Sequence, residues 1–345
     1  PPTKMRNPTA FKPFQVIVNL FGVPKYREWD PTPIIAYSFA FFFGLMLGDV
    51  VYAVLIILAA GFALQRFVDD PESEGFKLFQ KLLYISGGVG LIIGLLTGTY
   101  LGNFYEFFGI ESLTLAKGVA QLLGNCMYFI VFSLIIGFIH VNIAHVIALI
   151  KGVKKGNKAV IPGKLGLFIL QIAGIPWIIH SLFDMDIPLL TAQSYSVLLY
   201  AVFLGIILMI VSSLMERGSF LGSIFWLFDI TGLLGDVMSY CRLAGVGLAT
   251  YYLAFCFNMM ATLISGMVPA GPAGLVHLIV GTLTFIIILL IGHIINLVLA
   301  GISCFVHSLR LCFVEFLFKI YEGGGREYSP FRLRRRAFVP VKGRA

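Results

Sequence analysis

Long apolar runs broken by short polar stretches repeat down this chain, at about residues 33–66, 76–102, 122–150, 164–183, 191–214, 219–265 and 275–320. Runs beyond about 18 residues can cross a bilayer, and in lipid they must be helical because no water satisfies the backbone. The short alternating segments of a membrane barrel do not occur. The pattern predicts an all-α polytopic membrane protein. Residues 1–32 are polar and proline-rich, carry one short apolar stretch from Phe14 to Phe21, and read as a cytoplasmic, interfacial segment.

Seven runs do not by themselves give the number of crossings. Positive charge marks cytoplasmic loops, which places inside the loop with Lys151, Lys154, Lys155, Lys158 and Lys164, the tail with Arg332 to Arg336, and the N-terminal group Lys4, Arg6, Lys12, Lys25 and Arg27. The loop with Asp184 and Asp186 is expected outside. Counting back from the lysine loop puts the Asp69 to Lys81 loop inside as well, so residues 33–66 must cross an even number of times. A tight helical hairpin turning near Gly48 and Asp49 does this, with arms of about 16 residues, some 24 Å each. Eight crossings result: about six within 33–218 and two within 219–320, followed by a basic cytoplasmic tail, 321–345. The last two runs hold about 45 residues each, roughly 68 Å of helix, where a perpendicular span needs about 20 residues. Tilt, a break or an extension out of the membrane must absorb the excess, and Gly232, Gly235, Gly245 and Gly247 offer places for breaks.

Composition supports the membrane class: 59% of the 345 residues are hydrophobic and 12% charged, with a mean hydropathy of +0.93, too apolar for a soluble domain. The net charge of +8 sits in short loops and the tail instead of on an aromatic-studded face, which argues against a nucleic-acid partner. The five cysteines, Cys126, Cys241, Cys256, Cys304 and Cys312, lie in apolar stretches without a CxxC pair and are expected as buried small hydrophobes. The chain opens on Pro1 and Pro2 with nothing resembling a signal peptide, so an upstream soluble domain is expected in a longer protein.

Against this apolar background two arginines stand out, Arg242 and Arg310, one in each of the last two runs. Arginine at mid-bilayer costs at least about 2.5 kcal/mol and calls for a partner or a water-filled cavity. On the last run His293, Asn296, Ala300, Ser303, His307 and Arg310 recur at steps of three or four, one face of a helix about 25 Å long. Such a stripe should face a partner helix or a water-filled cleft; interhelical hydrogen bonding would account for Ser303 and Asn296 but not for a guanidinium. On the preceding run Asp229, Asp236, Ser239 and Arg242 lie along one side less regularly. Asp236 and Arg242 are about 9 Å apart along the axis, too far to pair, and Arg242 has no carboxylate at i±4. The small residues Ala244, Gly245, Gly247 and Ala249 admit either a closely apposed partner helix or tight internal packing. Asp49, Glu106, His140, His145 and His180 are further polar positions, each expected as a satisfied interior or interfacial group. No Walker A, HExxH, GxSxG or spaced Cys/His set occurs, so no catalytic residue, cofactor or metal is expected, and energy must come from an ion gradient or another subunit.

Ser239-Tyr240-Cys241-Arg242-Leu243, His307-Ser308-Leu309-Arg310-Leu311 and Phe313-Val314-Glu315-Phe316 closely resemble the stator subunit of V-type and A-type rotary ATPases, subunit a or I, in its membrane domain. Tyr321-Glu322-Gly323-Gly324-Gly325-Arg326-Glu327-Tyr328-Ser329-Pro330-Phe331, Phe43 to Asp49 and Gly22-Val23-Pro24-Lys25-Tyr26 extend the resemblance over nearly the whole chain. The glycine-rich ending is similar to prokaryotic members, which implies a prokaryotic plasma membrane with the C-terminus cytoplasmic. The resemblance implies eight helices whose last two face a rotating proteolipid ring, stalk and soluble ATPase subunits as partners, and translocation of protons or sodium through two offset half-channels. The family's two arginines fall on Arg242 and Arg310, and the acid partner is expected on the ring. Eukaryotic members carry a glutamate where this chain has Ala300 and a histidine where it has Thr250, so His293, Asn296 and His307 are expected to line the path, with Ser303, Asp236, Ser239 and Asp229.

Two other classes remain. A secondary ion-coupled transporter would also place charge at mid-membrane, although such folds commonly show two repeats with paired broken helices, and here the long polar runs occur once. A structural scaffold leaves both arginines unexplained.

Overall fold

The computed structural model describes residues 2–26, 28–68, 70–108, 114–183, 191–217, 224–267, 274–326 and 328. Arg27, Asp69, the Asp184 and Asp186 loop, Glu327 and the tail from Ser329 on, with Arg332 to Arg336, lie outside the described residues. The described chain is all-α: α1 (Gln15–Phe21), α2 (Thr32–Leu47), α3 (Val50–Leu58), α4 (Glu74–Thr97), α5 (Lys117–Gly124), α6 (Cys126–Lys154), α7 (Val160–Phe183), α8 (Ala192–Arg217), α9 (Phe225–Met238), α10 (Cys241–Gly266), α11 (Gly274–Arg310) and α12 (Phe318–Ile320). A π turn and a 3₁₀ turn extend α3 to Arg66, and a π-helical stretch, Leu311–Leu317, joins α11 to α12. Six helical segments are long and apolar enough to cross a membrane, and α2 and α3 are shorter apolar helices. Side chains such as Ile135, Ile172, Leu204 and Ile302 stand exposed on the outside, as helices bathed in lipid require.

The α2–α3 hairpin forms at the expected place. Gly48 takes a left-handed conformation (φ 48°) that ends α2, and the Asp49 carboxylate caps α3 by accepting from the backbone N–H of Val51 at 2.9 Å and Tyr52 at 3.1 Å. Both arms lie on the glycine face of α4. A methyl group on Gly94 would stand 2.7 Å from the Val50 nitrogen, and one on Gly44 2.8 Å from the Gly90 nitrogen, so backbones meet where only glycine fits.

The N-terminal segment and the glycine-rich stretch after α12 are sewn together at one pole of the bundle. Thr3 N–H donates to the Arg326 carbonyl at 2.8 Å, Tyr328 N–H returns to the Thr3 carbonyl at 3.0 Å, and Gly325 N–H donates to the Val23 carbonyl at 2.8 Å. Charges reinforce the seam: Lys25 and Lys155 meet Glu322 at 2.7 and 3.4 Å, and Lys151 meets Glu28 at 3.3 Å. Lys12 ties the same segment to Glu74 at the start of α4, at 2.8 Å. The N-terminal segment, the starts of α2 and α4, the lysine end of α6 and the glycine-rich ending therefore share one pole. The stretch Phe14 to Phe21 packs one face inward and leaves the other open: Ile17 and Val18 are buried, Leu20 is exposed, and Phe21 meets Phe313, Phe318 and Tyr321 with ring centroids 5.3–5.6 Å apart. Two cysteines also depart from expectation, since Cys126 and Cys256 lie on the outer surface while Cys304 and Cys312 are buried.

This clamp is acid-sensitive. Hydrogen bonds and charge from Lys25 and Lys155 pull the Glu322 carboxyl down to about 2 from an ordinary 4.5. Burial pushes Glu28 up, but the backbone N–H groups of Lys25 and Glu322 and the Lys151 ammonium outweigh it and leave it lowered. A depressed carboxyl contributes stability above its unfolded value and loses it as pH falls through the folded one. The clamp should hold at pH 5 and open between about 4.5 and 2, seen as pepsin cleavage appearing within residues 2–30; unchanged resistance down to pH 2 would contradict it.

The break expected in the first long run falls at none of the four glycines. It is a 3₁₀ tightening at Ser239 and Tyr240, where Tyr240, Arg242 and Leu243 N–H bond three residues back, at 3.1, 3.3 and 2.9 Å. The cause is tertiary. Tyr240 is fully buried, its ring occupies the space that a side chain at Gly137 would need, and its hydroxyl lies 2.5 Å from His140 Nδ1. Gly232, Gly235 and Gly245 have nothing within 4 Å of where a Cβ would stand, so they open a surface, while Gly247 packs on Phe129.

Candidate functional site

α10 and α11 run antiparallel: Asn258 meets His293, and the Thr250 carbonyl accepts from the Asn296 amide at 3.0 Å. Past Arg310 the helix widens into the π stretch. A π turn closes i→i+5 instead of i→i+4 bonds and so shifts the angular register of the residues that follow it. That change of register turns Glu315 toward α10, where its carboxylate lies 3.8 Å from Arg242 Nη1. One step further along, Lys319 pairs with Asp236 of α9.

Arg242 therefore does have a carboxylate partner within the chain, contrary to the expectation that its only acid is on another polypeptide. The pairing is loose. Glu315 is buried, with 2% of its side chain exposed against 19% for Arg242, and neither Arg242 Nη1 nor Glu315 Oε2 has a hydrogen-bond partner among the described residues. At an effective dielectric constant of about 20 the attraction is about 4 kcal/mol, and desolvation of several kcal/mol per ion cancels much of it. The guanidinium is held by a weak pair, with Nη1 turned inward toward Glu315 and part of the side chain still exposed.

His307 is half-buried within electrostatic range of Arg242 and Arg310, and its Nδ1 is unpartnered among the described residues. Arg310 is exposed. The Ser239 hydroxyl donates to the Gly235 carbonyl at 2.9 Å, Ser303 is half-buried, and Asp229 is exposed and apart from the cluster. Asp236 belongs to an ion pair with Lys319, so its carboxylate is already engaged.

The polar stripe on α11 divides. His307 and Arg310 lie within electrostatic range of Arg242; His293 and Asn296 are buried at the other end in a separate network. Tyr52 Oη lies 2.7 Å from His293 Nδ1 and accepts from the Asn296 amide at 2.9 Å, and His293 Nε2 lies 2.9 Å from Asn258 Oδ1. Of the other polar positions, Asp49 caps α3, His140 bonds Ser38 at 2.8 Å and Glu106 accepts from Asn103 at 2.9 Å, whereas His145 is satisfied at one nitrogen alone, Nδ1 lying 3.0 Å from Lys164 while its buried Nε2 has no hydrogen-bond partner among the described residues.

Sequence reasoning missed Glu315, Lys319 and Tyr52. Glu315 and Lys319 carried a signal, as the charges following Arg310 in an apolar run, but their register depends on the π turn. Tyr52 carried none.

The V-type ATPase 116kDa subunit family matches residues 1–116 and 230–333. The chain is 33% identical to the A-type ATP synthase subunit I of Methanocaldococcus jannaschii, over 97% of this chain and 49% of that protein. It is 31% identical to the subunit of the same name from Pyrococcus abyssi, over 97% and 48%, and 28% identical to the V-type ATP synthase subunit I of Borreliella burgdorferi, over 90% and 50%. The chain spans about half the length of the curated relatives it matches.

Proposed function

This chain belongs to the V-type ATPase 116kDa subunit family, and from that premise we propose that it is the membrane part of a non-catalytic stator subunit that conducts protons or sodium in a rotary ATPase. One observation carries the reading: Arg242 is held on a seam between two long helices, loosely countered by Glu315 at 3.8 Å, with 19% of its side chain still exposed. A carboxylate on a moving partner can approach the exposed part of that guanidinium, become ionised beside it and give up its ion. A fixed charge that no proton can neutralise also bars direct leakage.

The partner is a rotating proteolipid ring, with stalk and soluble ATPase subunits completing the complex. The last long segment buries only 11% of its most apolar window within this chain, against 33% for Glu74–Thr97, which leaves it open to a neighbour. The small-residue surface at Gly245 faces the same need. Within this reading Arg310 extends the positive field, His307, Ser239 and Asp236 border the path at the clamp pole, and His293, Asn296 and Ser303 border it toward the other pole. Asp229 lies at the periphery. Eight crossings, with the clamp pole cytoplasmic, follow from the charge of that pole and the short hairpin counted as two.

Purification from native membranes in mild detergent should bring down a proteolipid ring and nucleotide-hydrolysing subunits with this chain. Recovery as an autonomous oligomer with ion-coupled transport of its own would favour the secondary transporter instead.

A further inference from the structure

The seam that carries Arg242 is tied twice. Glu315 lies 3.8 Å from Arg242, and Lys319 pairs with Asp236. On the α9–α10 side the two groups are six residues apart, with the 3₁₀ tightening at Ser239 and Tyr240 between them. On the other side they are four apart, Glu315 within the π stretch Leu311–Leu317 and Lys319 just past its end. Both sides read acid before base along the chain, and because they run antiparallel each acid meets a base. A slip of one rung in either direction would set like charges together, Asp236 on Glu315 or Arg242 on Lys319. Charge order of this kind fixes register.

The spacing of Glu315 and Lys319, acid four residues before base, is also the one at which a regular α-helix pairs such groups with each other. Here both find their partners across the seam, and the π stretch is what separates them. A π turn is rare and persists where surrounding contacts hold it. The end of this one is pinned three times: Lys319 to Asp236 of α9, the Ile320 carbonyl to Lys151 Nζ of α6 at 2.9 Å, and the Tyr321 hydroxyl to the Gly22 carbonyl at 2.6 Å. Of the three, the Lys319 pair is the one that reaches the run carrying Arg242. It is not a solvated surface contact, since the two side chains are only 19% and 21% exposed. Relaxation of the stretch to α-helix would shift the residues beyond it by about one position, about 100° of rotation, and would part Lys319 from Asp236.

Building on the stator reading above, we infer that Lys319 is a positioning residue for Arg242: its pair with Asp236 locks the register of the seam and the π turn, which keeps Glu315 level with Arg242 and the guanidinium in one place as a partner carboxylate passes. Lys319 does not meet that carboxylate; it acts through Glu315.

The test uses the complete complex in proteoliposomes, with assembly checked in every variant and ATP-driven ion uptake measured. Lys319→Met keeps most of the side-chain volume and removes the charge, and the misplaced guanidinium should lower uptake about tenfold. Asp236→Asn breaks the same pair and should do the same, the two changes together should be no worse than either, and Lys319→Arg, which keeps the charge, should retain most of the uptake. Asp236→Asn decides alone if Lys319→Met does not assemble. A cycle with Glu315→Gln separates positioning from general support: adding Lys319→Met to Glu315→Gln should lower uptake no further, whereas a structural prop would make the two losses multiply. Unchanged uptake in Lys319→Met, losses that multiply, or Lys319→Arg no better than Lys319→Met overturns the lock. Arg242→Ala is the reference: uptake lost there but unchanged in Lys319→Met and Asp236→Asn sinks only the register lock, whereas uptake undiminished in Arg242→Ala sinks the stator reading beneath it.

Discussion

Replacing Arg242 by alanine in the assembled complex should abolish ATP-driven ion uptake into proteoliposomes. The side chain supplies the one positive charge placed on the α10 side of the seam, and removing it takes away the field that would keep a passing carboxylate ionised. A second effect must be separated from this one. Glu315 is buried, with 2% of its side chain exposed, and Arg242→Ala leaves it without its counter-charge. Removing one partner of a buried pair typically costs about 3–5 kcal/mol, and the loose 3.8 Å geometry with a partly exposed arginine places this case at the low end. The double variant Arg242→Ala with Glu315→Gln removes the stranded charge, so thermal stability should recover while uptake stays absent. Uptake recovering with stability would mean that Arg242 is structural. Undiminished uptake in the single variant would refute the assignment outright.

Gly325→Ala should detach the clamp at the pole where the N-terminal segment and the glycine-rich stretch meet. A Cβ at Gly325 would stand 2.1 Å from the Pro24 carbonyl oxygen and 2.6 Å from its carbon, both backbone atoms that cannot turn away as a side chain can. Overpacking costs roughly 1–3 kcal/mol, and losing the Gly325 N–H bond to Val23 adds about 1 kcal/mol, so a total of roughly 2–4 kcal/mol is expected. The neighbouring Gly323 and Gly324 sit at φ 64° and 78°, which makes the whole triplet intolerant of side chains. The measurement is the melting temperature of the detergent-solubilised protein together with protease access to residues 2–30. Gly245→Ala is the control, because that position has nothing within 4 Å and should leave stability unchanged. Wild-type protection in Gly325→Ala would show that the clamp is not held by this contact.

Much of the architecture is legible in the sequence. Apolar run length implied helices, and the parity of positive loops demanded that the first run return, which the Gly48 and Asp49 turn accomplishes with local chemistry: a left-handed residue and a carboxylate that caps the next helix. The prominence of Arg242 and Arg310 followed from the cost of a guanidinium among Leu and Ile. The helix break was not legible, because Gly232, Gly235 and Gly245 advertise flexibility while the real tightening is imposed at Tyr240 by the space beside Gly137 and the bond to His140. The packing of Phe21 was hidden too, since its partners Phe313, Phe318 and Tyr321 lie about 300 positions further along the chain.

The sequence by itself determined the membrane class, the hairpin and the two arginines, because burial in lipid and helix capping act on neighbours along the chain. Tertiary structure alone decided what those groups face. Asp236 meets Lys319 across 83 positions and Tyr52 meets His293 across 241, and a single π turn selects Glu315 as the counter-charge of Arg242. Such pairings depend on the rotation of one helix against another, a quantity fixed by side-chain packing over the whole bundle, which no periodicity within one segment encodes.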